Sequence, residues 1–353
     1  MKKIDLEPPG DEQKLLQFSH GLYQSGIPLP YFIPKTEKNH YYYQNGLSNI
    51  IPRLKVKVHS DIENCYNLWE GFTQNESLYD LWDYRYAWYE AYEYKPYFYT
   101  IYEDKEPLAM LPLWFNHDSN EYEFFGGWWS EDNTFFVSDE RFIDLLYEII
   151  PEKSTLTSIK MSPTLADRKI FSMLQEDAHK SILDTSKFND MEDYMSILKK
   201  KYRYNLKADY KRIADQNPVV TEYENCDPSL FSKIVNLNVK RFSGESYFTN
   251  HNVARGYENI MKRADLYSYK IIEVKVGEKI AAVDLIIEFK DNYYMPIGAN
   301  NIEEFKGIGY YMLYHEVQDA IKNGRKVVDC SQVDYGWKHR YFEQKPYYYL
   351  EVK

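Results

Sequence analysis

Hydrophobic and polar residues recur with regular periods along most of the chain after residue 56. Apolar residues at helical spacing in 62–72 (IENCYNLWEGF) and 78–92 (LYDLWDYRYAWYEAY) predict helices. The stretch 97–115 (YFYTIYEDKEPLAMLPLWF) predicts a hairpin with its turn at Glu103 to Glu106. A strand at NEYEFFGG, a helix at DERFIDLLYEII and a strand at STLTSIKM follow. This order predicts a mixed α/β domain that ends near residue 180.

The second half repeats this plan of helices, antiparallel strands, helix and strand. Helices are predicted over 191–214 and around 228–242, and residues 267–300 predict a three-stranded meander with turns at Val276-Gly277-Glu278 and Lys290-Asp291-Asn292. A helix then opens on Gly-Ile-Gly, and KVVDCSQV predicts a closing buried strand. We therefore predict an α/β protein with α+β mixed sheets, consisting of an N-terminal extension and two tandem domains with a cleft between them. The boundaries are 1–55, 56–184 and 185–353.

Composition narrows the class of protein. The 353 residues include only three cysteines, Cys65, Cys226 and Cys330, which indicates a reducing compartment and excludes a disulfide framework or a cysteine zinc motif. No apolar run approaches the roughly 18 to 20 residues of a membrane span, and the N-terminus lacks the apolar core of a signal peptide. We expect a cytoplasmic protein without a membrane span and without a metal.

The charge is unevenly distributed. The net charge is −11, with −12 over residues 1–180 and +1 over the rest. Residues 199–212 (KKKYRYNLKADYKR) hold seven basic residues and one acid. Arg203 and Lys207 belong to a stripe at helical spacing that also contains Lys200 and Lys211, and the stripe fits either ligand contact or a solvated surface.

Two glycines directly before a predicted helix indicate either a tight turn or a cradle for an anion. Gly307 and Gly309 relax a turn that other residues would strain. A helix N-terminus also presents unpaired N–H groups and a positive dipole end to a group such as a pyrophosphate. With their neighbours Lys306, Ile308 and Tyr310 they form the candidate donor-binding segment.

Candidate catalytic and acceptor residues lie on a strand and in two loops. In AAVDLIIEF, period-two alternation puts Asp284 and Glu288 on one face of an otherwise apolar strand, where a carboxylate could act as a base. Substrate contact is also predicted for a loop after the last buried strand and for a cluster after two glycines, where tryptophans beside acids could line an acceptor pocket. These residues are Asp334 and Tyr335 in the loop, and Trp128, Trp129, Glu131 and Asp132 in the cluster.

The second half resembles the GNAT acetyltransferase superfamily, most closely its duplicated branch of Fem-type aminoacyl transferases and cellulose-biosynthesis-associated acyltransferases. The resemblance rests on the basic helix, EKIAAVDLIIEF, GIGYYMLYHEVQDAIKNG and DCSQVDYGWKHRYF, and in the first half on EPLAMLPLWF and FFGGWWSEDN. It implies acyl-CoA as co-substrate, binding at the glycine segment, and it aligns Lys338 with a lysine of the family's closing motif, as a third catalytic candidate. One position departs from the pattern. Glu304 stands where the family's phosphate loop has Gln or Arg, and its charge would oppose a pyrophosphate.

The resemblance implies an acyltransferase that moves an acyl group from acyl-CoA to an amine or hydroxyl acceptor by direct attack. The acceptor would be a small molecule or a precursor of a cell-envelope component, polysaccharide or peptide, bound in the cleft between the domains. One alternative is an aminoacyl-tRNA-dependent Fem-type transferase, which the acidic net charge disfavours. The other alternative is a non-catalytic binding protein that kept the fold and lost the loop chemistry. The carboxylate of Glu304 in the phosphate loop favours this alternative.

Overall fold

The structure is a computed structural model that describes residues 26–33, 46–162 and 165–353. None of the described helices is both long enough and apolar enough to cross a bilayer. The chain divides into two units.

The first unit comprises the chain up to Arg85, residues Glu93–Asp177 and the C-terminal segment Tyr347–Lys353. Its described strands form one sheet in the order β1-β2-β3-β4-β5-β7-β16-β8, and β6 adds to β4. The strands are β1 (Ile27–Pro28), β2 (Leu54–His59), β3 (Pro96–Glu103), β4 (Glu106–Asn116), β5 (Glu121–Phe124), β6 (Phe136–Val137), β7 (Ser154–Lys160), β8 (Gln175–Glu176) and β16 (Tyr347–Val352), and the helices are α1 (Ile62–Phe72), α2 (Trp82–Tyr92) and α3 (Ile143–Glu148).

The hairpin of β3 and β4 forms where the sequence predicted it. Glu103 pairs with Glu106, and Asp104 takes a left-handed φ of 52° in the turn between them. Both strands are buried over most of their length because they lie inside the sheet.

Part of the predicted N-terminal extension completes the core of the first unit. β1 pairs with β2, and Leu29 and Leu47 are fully buried in the same apolar cluster as Leu111. Residues 1–25 and 34–45 of the extension lie outside the described residues. The described part of 1–55 therefore contributes apolar side chains to the core.

The second unit comprises Tyr86–Tyr92, which is the C-terminal part of α2, and Ala178–Pro346. Its sheet has the order β10-β11-β12-β13-β14-β9-β15, in which only the β13–β14 pair is parallel. The strands are β9 (Lys180–Asp184), β10 (Val219–Glu224), β11 (Ser268–Val276), β12 (Lys279–Phe289), β13 (Asn292–Asn300), β14 (Val327–Asp329) and β15 (Glu343–Lys345), and the helices are α4 (Met191–Ile197), α5 (Lys200–Ala214), α6 (Ser232–Phe242), α7 (His251–Lys262) and α8 (Ile308–Lys322).

The meander β11-β12-β13 matches the sequence prediction in both turns, and the Gly-Ile-Gly helix is α8. The single helix expected over 191–214 was wrong. Leu198 and Lys199 adopt extended backbone with ψ of 144° and 138°, which ends α4 and starts α5. Strand β10 and helix α7 were not foreseen.

Two strands pair in the sheet of the other unit from the one that the predicted boundary assigns to them. β9, placed in the first domain by the 184/185 boundary, pairs with β14 and β15 in the second unit's sheet. β16, placed in the second domain, pairs with β7 and β8 in the first unit's sheet. An alternating strand pattern does not specify which sheet receives the strand, so these two assignments depend on tertiary structure.

Candidate active site

Strands β13 and β14 run side by side for three residues and then separate. Asn292–Tyr294 pairs with Val327–Asp329, after which β13 carries a bulge at Met295–Pro296 opposite Ile286. A bulge bends its strand and increases the local twist. Within the described residues, no strand pairs with the outer side of β13 from Met295 to Asn300. We call this segment the open edge.

The open edge ends at the glycine segment. Gly307 precedes α8 with a left-handed φ of 97°, a backbone conformation that favours glycine at this position. At Gly309 an added Cβ would meet only the side chain of Asn300, the last residue of β13, at 3.8 Å. In the first turn of α8, the N–H group of Ile308 donates to the carbonyl oxygen of Phe305 and that of Tyr310 to Gly307, at 3.1 and 3.0 Å. This turn is therefore adjacent to the unpaired strand.

Two charged residues of α5 lie against the glycine segment. A Cβ added to Gly307 would stand 3.0 Å from Asp209 Oδ1 and 3.2 Å from Arg212 Nη1, and these two side chains form an ion pair. Lys306 is exposed beside them. The guanidinium of Arg212 is thus a cation at a helix N-terminus, where an anionic ligand would bind.

Glu304 is held by two lysines. Its carboxylate lies 2.7 Å from Lys279 Nζ and 3.9 Å from Lys240 Nζ, and the hydrogen bond from Lys279 lowers the pKa of Glu304. The negative charge that the sequence placed near the phosphate loop is therefore offset by cations from β12 and α6.

Asp284 lies between the sheet and α8, where it meets a glutamate. Asp284 is 8% exposed and Glu316 of α8 is 1% exposed, and the two carboxyl groups are close enough for each to influence the pKa of the other. Burial raises the pKa of Asp284 to about 6, and burial together with the charge of Asp284 raises that of Glu316 well above its usual value. A Cβ added to Gly298, opposite Asp284 on β13, would lie 2.2 Å from Asp284 Oδ1. The carboxyl group therefore occupies space left by a missing side chain on the open-edge segment.

The other two catalytic candidates have different environments. Glu288 accepts a 2.5 Å hydrogen bond from Arg325 and forms an ion pair with it. Lys338 is buried, and its ammonium donates to the carbonyl oxygens of Cys330 at 2.5 Å and Gln332 at 2.8 Å. This arrangement gives Lys338 contacts that hold the loop after β14, and the catalytic role that the resemblance implied stays a prediction.

The predicted acceptor loop after β14 is ordered by its own polar contacts. Asp334 accepts hydrogen bonds from the backbone N–H groups of Trp337 and Lys338 at 2.8 and 2.7 Å. Tyr335 is 63% exposed, and its hydroxyl lies 2.8 Å from that of Tyr247. Asp334 therefore caps a turn, whereas Tyr335 presents a ring to solvent.

The basic stripe is largely paired within the second unit. Arg203 donates to the carbonyl oxygen of Ser196 at 3.2 Å, and Lys207 forms a 2.8 Å ion pair with Glu192. Lys211 pairs with Asp215. The structure thus brings Arg212 to the glycine segment and gives Arg203 and Lys207 partners on α4.

The tryptophan cluster belongs to the first unit. Trp128 is 47% exposed, Trp129 and Glu131 are half-buried, and Asp132 accepts a 2.5 Å hydrogen bond from Tyr347. Buried Arg85 organises this loop by donating to the carbonyl oxygens of Phe125 at 2.8 Å and Glu131 at 3.4 Å.

Sequence reasoning missed Arg212 and Glu316. Arg212 lies in the basic stretch and Glu316 in the predicted helix, but only the packing of α5 and α8 shows which residue meets Gly307 or Asp284. In the described part of the chain, no cluster of three or more His, Cys, Asp or Glu side chains is arranged to hold a metal ion.

Comparisons with known proteins agree on the fold. The family model described as Acetyltransferase (GNAT) domain matches residues 200–339. No curated protein sequence matches the chain significantly. The solved structure of FemX aligns with a TM-score of 0.52 and 9% identity over 84% of this chain and 97% of its own.

Two further solved structures align over similar lengths. A conserved protein of unknown function from Bacteroides thetaiotaomicron VPI-5482 aligns with a TM-score of 0.53 and 13% identity, over 84% of this chain and 100% of its own. A tandem GNAT protein from the clavulanic acid biosynthesis pathway aligns with a TM-score of 0.53 and 7% identity, over 84% of this chain and 97% of its own. At these identities the likeness establishes the two-domain GNAT fold alone.

Proposed function

We propose that this chain, which matches the GNAT acetyltransferase domain over residues 200–339 and shares its fold with FemX, transfers an acyl group from acyl-CoA to an amine or hydroxyl acceptor by direct attack. The observation that carries the proposal is the open edge of β13 leading to the N-terminal turn of α8. The free cysteines Cys65, Cys226 and Cys330 fit a reducing compartment, which supports a cytoplasmic location.

The second unit offers complementary groups to each part of the donor. An extended chain with amide groups can bind an unpaired strand edge by main-chain hydrogen bonds, as added strands do. The pyrophosphate would then lie at Gly307–Tyr310, with Arg212 and Lys306 as cations. Asp209 lies in the same place and opposes the anion, so Arg212 would exchange its partner when the donor binds.

The chemistry requires a proton acceptor. The acceptor nitrogen or oxygen loses a proton, bonds to the acyl carbon, and the carbon–sulfur bond breaks; the leaving sulfur then takes a proton. We propose Asp284 as the group that accepts the first proton, since a carboxylate with a pKa of about 6 is ionised near neutral pH. Lys338 supports this site by fixing the carbonyls of the loop after β14.

The acceptor remains a proposal at the level of chemical class: a small molecule, or a precursor of a cell-envelope component, polysaccharide or peptide. Tyr335 and the loop capped by Asp334 are the acceptor contacts proposed in the second unit. Trp128, Trp129, Glu131 and Asp132 are proposed acceptor contacts of the first unit.

Transfer from an aminoacyl-tRNA is a second candidate, favoured by one surface. At the start of α5, Tyr204 follows Lys200 and Lys201 by four and three residues, and all three are exposed, with Tyr204 at 72%. Exposed lysines beside an aromatic ring suit a nucleic-acid backbone and an unstacked base. Binding of this donor would depend strongly on salt concentration.

Titration calorimetry with coenzyme A tests the donor. The wild-type protein should bind coenzyme A, and Gly309→Val should weaken binding at least tenfold because its side chain fills the space between α8 and Asn300. Gly244→Val is the matched control, since nothing lies within 4 Å of its added Cβ. Glu304→Gln should strengthen binding a few-fold, because Lys279 and Lys240 are released. Absence of binding to all four proteins at millimolar coenzyme A would contradict the acyl-CoA proposal and favour the other donor or a non-catalytic role.

A further inference from the structure

The carboxyl pair of Asp284 and Glu316 has features that packing alone does not explain. Both side chains are buried, and Ile286 on β12 and Met312 on α8, which follow and precede them by two and four residues, belong to the apolar core of the second unit. One oxygen of each group, Asp284 Oδ1 and Glu316 Oε1, is buried without a hydrogen-bond partner. A buried polar atom without a partner costs free energy, so such an atom in a folded protein calls for a reason.

The unpartnered oxygen of Asp284 lies against Gly298 of the open edge. Oδ1 lies where a side chain of residue 298 would begin, and Gly298 belongs to the segment of β13 that lacks a strand on its outer side. A hydrogen-bond donor seated at Gly298 would supply the missing partner. The absence of a side chain at this position therefore leaves the base and the open edge in direct contact.

A set of charged groups surrounds Glu316 on the same side of the sheet. The ammonium of Lys270 on β11 lies 3.0 Å from Glu222 of β10 and 2.5 Å from Asp319 of α8. Lys270 also lowers the pKa of Glu316, but its charge is shared with two other carboxylates and burial and Asp284 outweigh it. The remaining titratable groups near the pair are His315 on α8, Tyr293 on β13, and Asp329 and Cys330 at the end of β14.

We propose that Glu316 is a positioning residue that holds one proton and donates it in a hydrogen bond to Asp284, so that Asp284 stays ionised and correctly placed as the base. Two buried carboxylates in contact cannot both ionise at neutral pH, and the more deeply buried one keeps the proton. Glu316 thereby prevents the pKa of Asp284 from rising further in an apolar environment. This inference rests on the proposed acyltransfer for the role of Asp284, but the shared proton can be measured without turnover.

The first test is infrared spectroscopy of the full-length protein at pH 7.5. Wild type should show the band of one protonated carboxyl group, and Glu316→Gln should lack it. Glu303→Gln, at an exposed glutamate, is the control and should keep the band. A wild-type protein without a protonated carboxyl group at this pH would overturn the inference.

The second test compares two uncharged replacements of Glu316. Gln still donates a hydrogen bond to Asp284 and Met does not, while both have a similar volume. In Glu316→Gln the acid limb of kcat/KM, measured with acetyl-CoA and a panel of primary amines, should keep its position. In Glu316→Met it should move up by at least one pH unit, because Asp284 loses a donor to its charged form.

The pH dependence of the free energy of unfolding reports the ionisation of Asp284 without substrate. Burial holds the folded pKa of Asp284 at about 6, above its unfolded value, so the free energy of unfolding falls as pH rises from about 4 to 6. Glu316 itself titrates in the wild type, so the two variants are compared with each other: in Glu316→Met this fall should extend at least one pH unit higher than in Glu316→Gln. Equal titrations in the Gln and Met variants would overturn the inference. Lack of turnover in every protein, with the titrations as expected, would instead remove the acyltransfer proposal.

Discussion

At the scale of single residues, Lys338 shows how a buried charge can have a structural role. Its ammonium is surrounded by backbone carbonyls of the loop after β14, in which Ser331 and Val333 both take a left-handed φ of 59°. This conformation is costly for a β-branched residue, so it needs contacts that hold it. The lysine supplies those contacts.

We predict that Lys338→Met destabilises the protein by about 2 kcal/mol, because it removes charged hydrogen bonds and leaves buried carbonyls without a donor. Urea unfolding measures the change. Lys345→Met, at an exposed ion pair with Glu343, is the control and should change stability by less than about 1 kcal/mol. Equal effects of the two substitutions would show that the carbonyl contacts contribute little.

At the scale of elements, helix α5 positions the N-terminus of α8 through aromatic contacts. The ring of Tyr210 stacks on Tyr311 with centroids 5.1 Å apart and lies 4.0 Å from Tyr314. Asp209 and Arg212, on either side of this tyrosine, reach Gly307. The pairing of two helices thus sets the charge at the glycine segment.

Tyr210→Ala should destabilise the protein by about 2 kcal/mol and weaken coenzyme A binding, since the stack and the position of Arg212 are lost together. Tyr204→Ala on the same helix is the matched control, because Tyr204 is 72% exposed, and it should cost less than about 0.5 kcal/mol. Denaturation and calorimetry report the two effects. If both variants behave like the wild type, the stack does not position α5.

At the scale of the whole molecule, the C-terminus of the chain completes the first unit. β16 follows the second unit in sequence but pairs with β7 and β8, and Leu350 is 1% exposed in the first unit's core. The first unit therefore cannot complete its sheet until the second unit and β16 have been synthesised.

Leu350→Ala should lower the free energy of unfolding by about 3 kcal/mol, as expected for a large-to-small change in a packed core. Val352→Ala, at a half-buried residue of the same strand, is the control and should lower the free energy of unfolding by about 1 kcal/mol or less. Unfolding followed by tryptophan fluorescence reports mainly on the first unit, because Trp69 and Trp114 are in its core. An unchanged transition in Leu350→Ala would contradict the role of β16.

The sequence by itself determined the local structure of both halves. Alternating residues and turn signals defined the β3–β4 hairpin and the β11-β12-β13 meander, because strand period and turn chemistry depend on neighbouring residues. The glycine pair marked the start of α8 for the same reason. The family resemblance, carried by these local motifs, was confirmed by the GNAT match over residues 200–339.

Tertiary structure decided what depends on residues far apart in sequence. The pairing of Asp284 with Glu316, the approach of Arg212 to Gly307 and the ion pair of Glu304 with Lys279 join segments separated by 25 residues or more. Each contact follows from how a helix packs on a sheet or on another helix, and residue spacing along one element does not encode it. The exchange of β9 and β16 between the sheets has the same cause, since a strand pairs with whichever edge the rest of the chain leaves open.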